Sequence, residues 1–152
     1  MRGSLYDNDL LVGGVSVAPQ SFTGSTAVNG SSVNTTGFTD AVIHAYGAAA
    51  SGTPTAGSLV VTLQESATGT SGWTNALDNT STVIGFTLTC TSALAENVAR
   101  IEGLNLNRKQ YLRAVITPAF TGGSSPAILG FAEIVLGGPA QQLPVTSTVS
   151  NT

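Results

Sequence analysis

Apolar and polar residues alternate with a period of two along most of this chain, in runs separated by clusters of Gly, Pro, Ser and Asn. Successive side chains of a strand point to opposite faces, so this pattern is typical of short strands joined by turns. Weaker runs of the same kind lie near Ser25–Asn29 and Gly72–Ala76. The stronger runs predict strands at Leu10–Ala18, Asp40–Ala48, Ser58–Ser66, Gly85–Cys90, Asn97–Leu104, Gln110–Thr117 and Ala127–Gly138.

The number and spacing of these runs predict an all-β fold, a single antiparallel β-sandwich or jelly-roll-like domain. The one segment with good helix propensity is TSALAENVARIEGL, residues 91–104, where we expect a short turn that leads into a strand. Neither end of the chain sustains the alternation. We therefore expect an N-terminal arm at residues 1–9, a β-sandwich domain at residues 10–138 and a C-terminal arm at residues 139–152. Termini of this kind are normally mobile unless another chain holds them.

One predicted strand and the turn after it, LVVTLQESATGTSGWT at residues 59–74, contain Glu65 and the only tryptophan, Trp73. Alternation places Glu65 on the apolar face of the strand, but at the end where the strand runs into ATGTSG. The carboxylate is therefore predicted to emerge at the rim of the sheet. We expect Trp73 to pack on the chain as it returns, and the turn itself is a candidate for contact with a neighbouring molecule.

Two charged residues interrupt apolar patterns farther along the chain. Arg113 lies opposite the aliphatic face of its strand, and Glu133 interrupts the face formed by Leu129, Phe131 and Val135. Opposite charges stabilise a sheet when they face each other on neighbouring strands. A cross-strand pair between Arg113 and Glu133 is therefore one hypothesis for the arrangement of the last two strands.

Composition predicts one domain with a surface that a partner covers. The chain has 152 residues and 15.3 kDa, and a domain of this size buries about 68–70% of the surface that its unfolded chain exposes. Charged residues make up only 9% of the sequence, against about 25% in typical soluble domains. With 41% hydrophobic residues and a net charge of −3, the chain lacks the signature of disorder. Its few charges protect it weakly against self-association.

Charge and cysteine content exclude several classes of function. The isoelectric point is about 4.7, and the only local cluster of basic residues is Arg108, Lys109 and Arg113, so we expect no nucleic-acid partner. No apolar run reaches the ~18 residues of a membrane helix, and no segment has the form of a secretory leader, so we expect a soluble protein without a membrane partner. The single cysteine, Cys90, is predicted to be a small buried hydrophobe.

The residues offer little support for catalysis. His44 is the only histidine, and it shares a predicted strand face with Asp40, Val42 and Tyr46, but no G-x-S-x-G elbow supplies a nucleophile. The acids show no spacing that selects a catalytic pair, and no glycine pair is followed by the residues of a phosphate loop. We therefore assign no catalytic, cofactor-binding or metal-binding residue, expect no cofactor, and predict that the chain is not an enzyme.

Carbohydrate binding is the alternative from a different functional class, because β-sandwich modules stack sugar rings on exposed aromatic side chains. Aromatic residues make up only 6% of the sequence, and Trp73, Tyr46, Tyr6 and Tyr111 lie on separate segments. A single tryptophan after a Gly-rich turn is more often an anchor at the rim or in the core than a platform for a sugar.

Three stretches of the sequence resemble small all-β virion proteins of tailed bacteriophages that decorate or cement the capsid. In that group, a strand ending in LQES is followed by a Gly/Ser/Thr turn and W-T. Later come a basic residue, Y-[LV]-R-x-V-x-T and a last strand ending in V-L-G-G. The stretches here are SLVVTLQESATGTSGWT, RKQYLRAVITPAFTGGSSPAILGFAEIVLGG and DAVIHAYGAAASG. The matching positions are Leu63, Glu65, Trp73, Tyr111, Arg113, Thr117 and Gly137.

The resemblance implies a structural virion protein, without enzyme activity, that bridges adjacent subunits of the major capsid protein. It implies a place on the outer capsid surface after synthesis in the host bacterial cytoplasm. It also implies self-association, with a homotrimer favoured over a dimer, and terminal arms that reach over neighbouring capsid subunits. A tail or head-fibre accessory protein of the phage is an alternative within the same class.

Overall fold

The computed structural model describes residues 12–102 and 108–139, and this part of the chain is all-β, as the alternation predicts. Every strongly predicted strand is present, and the helix-favouring segment forms a strand after a short bend. A two-residue strand at Val33–Asn34 escaped prediction, because two residues are too few to show a period. The strands are β1 Val12–Thr23, β2 Val28–Asn29, β3 Val33–Asn34, β4 Phe38–Gly47, β5 Ala56–Ser66, β6 Thr74–Asn75, β7 Gly85–Thr89, β8 Ala95–Glu102, β9 Tyr111–Thr121 and β10 Ala127–Pro139.

The strands form two antiparallel sheets. Sheet A has the order β1-β10-β4-β8. Sheet B is built on the long pair β5 and β9, which are hydrogen-bonded from Ala56–Thr121 to Ser66–Tyr111. The short strands β2 and β3 lie one after the other along β9, and β6 and β7 do the same along β5. Each sheet therefore has four strand positions.

The order in which the chain visits these positions is that of a jelly roll. The chain passes from β1 in sheet A to β2 and β3 in sheet B, then to β4 in sheet A and to β5, β6 and β7 in sheet B. It then crosses to β8 in sheet A, to β9 in sheet B and back to β10 in sheet A. Eight strand positions in two sheets with repeated crossings are the double-sheet jelly roll. The predicted fold class is confirmed.

The core lies between the two sheets and is built by the alternation that predicted the strands. One face of β4, β5, β9 and β10 is mainly aliphatic and buried. A buried Leu or Ile side chain stabilises the fold by about 1.5–3 kcal/mol. The cysteine is part of this core, as predicted. Its main members are Ala41, Ile43 and Ala45 of β4, Leu59, Val61 and Leu63 of β5, Leu112, Ala114 and Ile116 of β9, Ile128, Ala132 and Ile134 of β10, and Phe22, Leu88 and Cys90.

A buried serine joins β1 of sheet A to sheet B. The hydroxyl of Ser16 donates a hydrogen bond to the carbonyl of Ser31 at 2.9 Å and accepts one from the backbone N–H of Ala114 at 2.9 Å. The register of β1 against β10 shifts between Val15 and Val17, and this irregularity brings Ser16 inward. Gly30 is required beside it, because a Cβ there would lie 2.3 Å from the Ser16 hydroxyl oxygen.

The hypothesis of a cross-strand pair between Arg113 and Glu133 is wrong. Arg113 lies on β9 in sheet B and Glu133 on β10 in sheet A, and both side chains are on the outer faces of their sheets. β9 and β10 follow each other in sequence but belong to different sheets, so they do not pair. The predicted arms at residues 1–9 and 140–152 lie outside the described residues, and Pro139 is the last residue of β10.

Candidate docking surfaces

The outer face of sheet A carries exposed apolar side chains as well as acids, although an antiparallel sheet normally presents mainly polar side chains to solvent. Val15 of β1 is 54% exposed and Leu129 of β10 is 56% exposed. Apolar side chains therefore lie on both faces of β10. The sequence already indicates this, because both odd- and even-numbered positions of this run are largely hydrophobic. We call this surface the sheet A face. Its described side chains include Val15, Asp40, Val42, His44, Tyr46, Glu96, Leu129, Phe131, Glu133 and Val135.

An aromatic cluster lies at the middle of the sheet A face. Tyr46 and Phe131 face each other across β4 and β10, and their rings stack with centroids 5.8 Å apart at an interplanar angle of 24°. The ring of His44 meets Phe131 edge-on, with centroids 5.9 Å apart. Aromatic pairs in such arrangements are held in place by their own contact as well as by burial. The face therefore presents a preformed aromatic surface rather than separate mobile side chains.

His44 lies between two carboxylates on this face. Its Nδ1 is 3.2 Å from Oε1 of Glu133 on the neighbouring strand β10, and its Nε2 is 3.9 Å from Oε2 of Glu96 on β8. The Asp40 carboxylate, on the same face of β4, accepts a hydrogen bond from the Thr39 hydroxyl at 3.2 Å.

The surroundings of His44 do not form the triad of a hydrolase. Such a triad needs a hydroxyl or thiol on one imidazole nitrogen and an acid on the other, whereas both described partners of His44 are carboxylates. In the described part of the chain, no group of three or more His, Cys, Asp and Glu residues is arranged to hold a metal ion. Nor does any helix there have the length and apolar character needed to cross a membrane.

A second candidate surface lies at one end of sheet B, where the two main stretches of the phage resemblance meet. We call it the Trp73 corner, formed by Gln64, Glu65, Trp73, Thr74, Leu77, Val83, Arg108, Lys109 and Arg113. Nε and Nη2 of Arg113 donate to Oε1 of Gln64 at 2.9 and 2.7 Å, and the guanidinium carbon is 4.3 Å from the centroid of the Trp73 ring. The described contact of Trp73 is thus with Arg113 of β9.

Glu65 is largely enclosed within this corner instead of emerging at the rim. Its side chain is 14% exposed and that of Arg108 is 12% exposed, with Nη1 of Arg108 at 3.9 Å from Oε2 of Glu65. This distance suits an ion pair but is too long for a hydrogen bond. Oε2 is fully buried and has no hydrogen-bond partner among the described residues. The expected rim position is wrong because Arg108, far away in sequence, covers the carboxylate.

The remaining basic residues of the corner are bonded to neutral groups. Nζ of Lys109 donates to the hydroxyl of Thr74 at 2.6 Å. Burial lowers the pKa of the Arg113 guanidinium, which nevertheless stays protonated in proteins. Arg108, Lys109 and Arg113 form a cluster in the sequence, but in the structure each contacts a different partner.

The turn between Glu65 and Trp73 is held by its own hydroxyl groups. The buried hydroxyl of Ser66 accepts hydrogen bonds from the backbone N–H groups of Thr68 and Gly69, both at 3.1 Å. Gly69 has φ +75° and packs on the ring of Tyr111, where a Cβ would lie 2.7 Å from a ring carbon. A glycine is needed for both reasons. The turn has one defined shape and exposes Thr70 and Ser71 to solvent.

Comparison with known proteins supports the fold. No protein-family model matches the sequence, and no curated protein matches it either. Among solved structures, the PBSX exported protein XepA aligns at 11% identity with a TM-score of 0.50. The alignment covers 93% of this chain and 42% of XepA, so the chain spans less than half of that protein's length. At this identity the likeness shows a shared fold.

Two viral structures also align over almost the whole chain. Tobacco streak virus coat protein aligns at 11% identity and a TM-score of 0.37, covering 98% of this chain and 99% of the coat protein. A structure of Desmodium yellow mottle tymovirus aligns at 12% identity and a TM-score of 0.30, covering 90% of this chain and 91% of that one. These scores are too low to support an argument about function.

Proposed function

We propose that this chain is a structural virion protein that decorates and cements a bacteriophage capsid by bridging adjacent subunits of the major capsid protein. It acts on the outer capsid surface as a homo-oligomer, most simply a homotrimer, and it has no enzyme activity. The arms at residues 1–9 and 139–152 extend its contacts over neighbouring capsid subunits.

The observation that carries this proposal is the sheet A face. Large contiguous apolar patches are rare on monomeric proteins and mark surfaces that another molecule covers. Here Val15 and Leu129, each more than half exposed, flank the stacked Tyr46 and Phe131. In a chain with 9% charged residues, such a face suits a permanent contact between neighbours better than a transient encounter steered by charge.

The fold and the sequence resemblance support the same function. Jelly rolls are building blocks of viral capsids and also of lectins. The residues that match the phage decoration proteins are scattered in sequence, but Glu65, Trp73 and Arg113 lie together in one corner. The shared motif is thus a packing unit that shapes a turn, as expected for a structural protein.

Capsids from a phage genome that lacks this coding sequence provide the test. Purified protein is added, unbound protein is removed by sedimentation, and bound copies are counted against the major capsid protein. We expect saturable binding at a fixed ratio and a higher temperature of capsid rupture. Binding that does not saturate, or saturated capsids that rupture at the unchanged temperature, would contradict the proposal.

The same capsids separate the two alternatives. A tail or head-fibre accessory protein binds at a few sites and leaves the rupture temperature unchanged. A carbohydrate-binding module leaves capsids unbound and changes the emission of Trp73 when glycans are added. The structure disfavours this second alternative, because the Arg113 guanidinium already covers one face of the Trp73 ring.

A further inference from the structure

The sheet A face combines exposed apolar side chains with negative charge. Glu133 lies near its centre, Glu96 is 68% exposed beside it, and Asp40 lies on the same side of β4. Arg100 of β8 pairs in register with Val42 and so falls on this side of the sheet, but the acids on this side outnumber it. The ring of His44 lies between two of the carboxylates. A partner for this face must match both its apolar and its acidic character.

This charge argues against two copies packed with their sheet A faces together. An isologous contact puts the same patch on both sides, so Glu96 and Glu133 of one copy would approach the same acids of the other. Like charges placed opposite each other in an interface oppose binding and select against that partner. The sheet A face instead fits a surface that is apolar and cationic.

The Trp73 corner has that complementary charge, and it lies on sheet B, away from the sheet A face. Lys109 is bonded to the hydroxyl of Thr74, and Arg113 to the amide oxygen of Gln64 and the ring of Trp73. All three partners are neutral, so none of them balances the two positive charges. Among the described residues, neither Lys109 nor Arg113 is paired with an acid.

The hairpin that follows Thr74 adds exposed apolar surface to this corner. Leu77 and Val83 pair as an antiparallel bridge, and both side chains are exposed. Asp78 in the same hairpin is an acid, and its carboxylate accepts hydrogen bonds from Thr80 and Thr82. These hydrogen bonds, and to a smaller extent the charge of Arg108, lower the pKa of Asp78. Arg108 also pairs with Glu65, so the three cations of the corner exceed its two acids by one positive charge.

We propose that the sheet A face of one copy of this chain binds the Trp73 corner of a second copy, head to tail. Glu96 and Glu133 then meet Lys109 and Arg113, while Leu129 and its apolar neighbours meet Leu77 and Val83. A contact between two different surfaces repeats from copy to copy and closes into a ring when the rotation permits. This contact specifies how the self-association in the proposed function takes place. The number of copies in the ring rests on that proposed function.

Charge reversal tests this contact. Glu96→Lys reverses one side and Lys109→Glu reverses the other, and each variant alone is expected to weaken assembly in sedimentation velocity at least about tenfold. An equimolar mixture of the two variants is expected to assemble again, because the reversed face of one variant meets the reversed corner of the other. Thr121→Lys and Thr89→Glu introduce the same charges at exposed positions of sheet B far from the corner, and these controls should assemble like the wild type.

Each other outcome overturns the inference. A wild-type chain that stays monomeric at every concentration, or a mixture that does not assemble, excludes the head-to-tail contact. An effect of Glu96→Lys without one of Lys109→Glu assigns the sheet A face to a different occupant. The capsid-binding experiment separates this inference from the proposed function. Rings that form but do not bind capsids would support the head-to-tail contact and contradict the proposed function. Monomers that bind capsids to saturation would contradict the head-to-tail contact and support the proposed function.

Discussion

The guanidinium of Arg113 lies 4.3 Å from the centroid of the Trp73 ring while two of its nitrogens donate to the Gln64 side chain, so one arginine joins β9, β5 and the end of the turn between Glu65 and Trp73. The planar fork of arginine can make both contacts at once, which the ammonium of lysine cannot. This contact joins the two longest stretches of the sequence resemblance in one packed corner.

Arg113→Lys is expected to loosen this corner while keeping its charge. Loss of the stacking and of one hydrogen bond should lower the free energy of unfolding by about 1–2 kcal/mol. Emission of Trp73, the only tryptophan, should shift to longer wavelength and become more accessible to acrylamide. Thr117→Ser, on the same side of β9, is the matched control. Unchanged emission in Arg113→Lys would show that the stacking does not hold the indole.

Removing the hydroxyl that joins β1 to sheet B should be costly. Ser16→Ala leaves the buried N–H of Ala114 and the part-buried carbonyl of Ser31 without this partner, at an expected cost of about 1–3 kcal/mol in urea unfolding. Ser21→Ala, at an exposed position of the same strand, should change stability by less than about 0.5 kcal/mol. Equal effects of the two variants would mean that Ser16 does not connect the sheets.

Substitutions at exposed apolar positions should separate assembly from folding. Val15→Thr replaces a side chain of the sheet A face by one of similar shape, and because Val15 is 54% exposed, the midpoint of unfolding of the monomer should hardly change. Self-association should weaken severalfold, since the hydroxyl must be desolvated in the contact. Val60→Thr makes the same change at an exposed position on the outer face of sheet B. Equal weakening by both variants would argue against a specific role of the sheet A face.

Cys90 should resist thiol reagents in the folded protein. Burial raises the pKa of this thiol, so it stays protonated, and reagents reach it only after opening. Because the folded-state pKa is the higher one, the stabilisation is complete below the unfolded pKa and declines as pH rises through the folded value. We expect slow labelling at pH 8 that becomes fast in urea. Labelling at the same rate with and without urea would show that the thiol is accessible in the native state.

Alternation along the chain was sufficient to predict the strands and their buried faces, because burial on one side of a strand leaves a period of two. It placed Arg113 opposite the buried aliphatic face of its strand and Cys90 in the core. It could not tell which strands pair, since register and sheet order depend on contacts between residues far apart. The Arg113–Glu133 hypothesis failed at that step.

The candidate surfaces depend on the same long-range pairing. Tyr46 and Phe131 stack only because β4 lies beside β10, and Glu65 is covered because Arg108 reaches it from another strand connection. The sequence did contain one sign of the sheet A face, in the apolar residues of both parities along β10. The structure places one set of these residues in the core and the other set on the outer face of the sheet.

The ratio of this protein to the major capsid protein in purified virions decides whether it cements the shell, and quantitative mass spectrometry after washing at high salt measures that ratio. A structural protein that cements the capsid should remain at a constant ratio, set by the number of equivalent positions on the shell, in every preparation. A trace amount, a few copies per particle, or a ratio that falls with each wash would contradict the account.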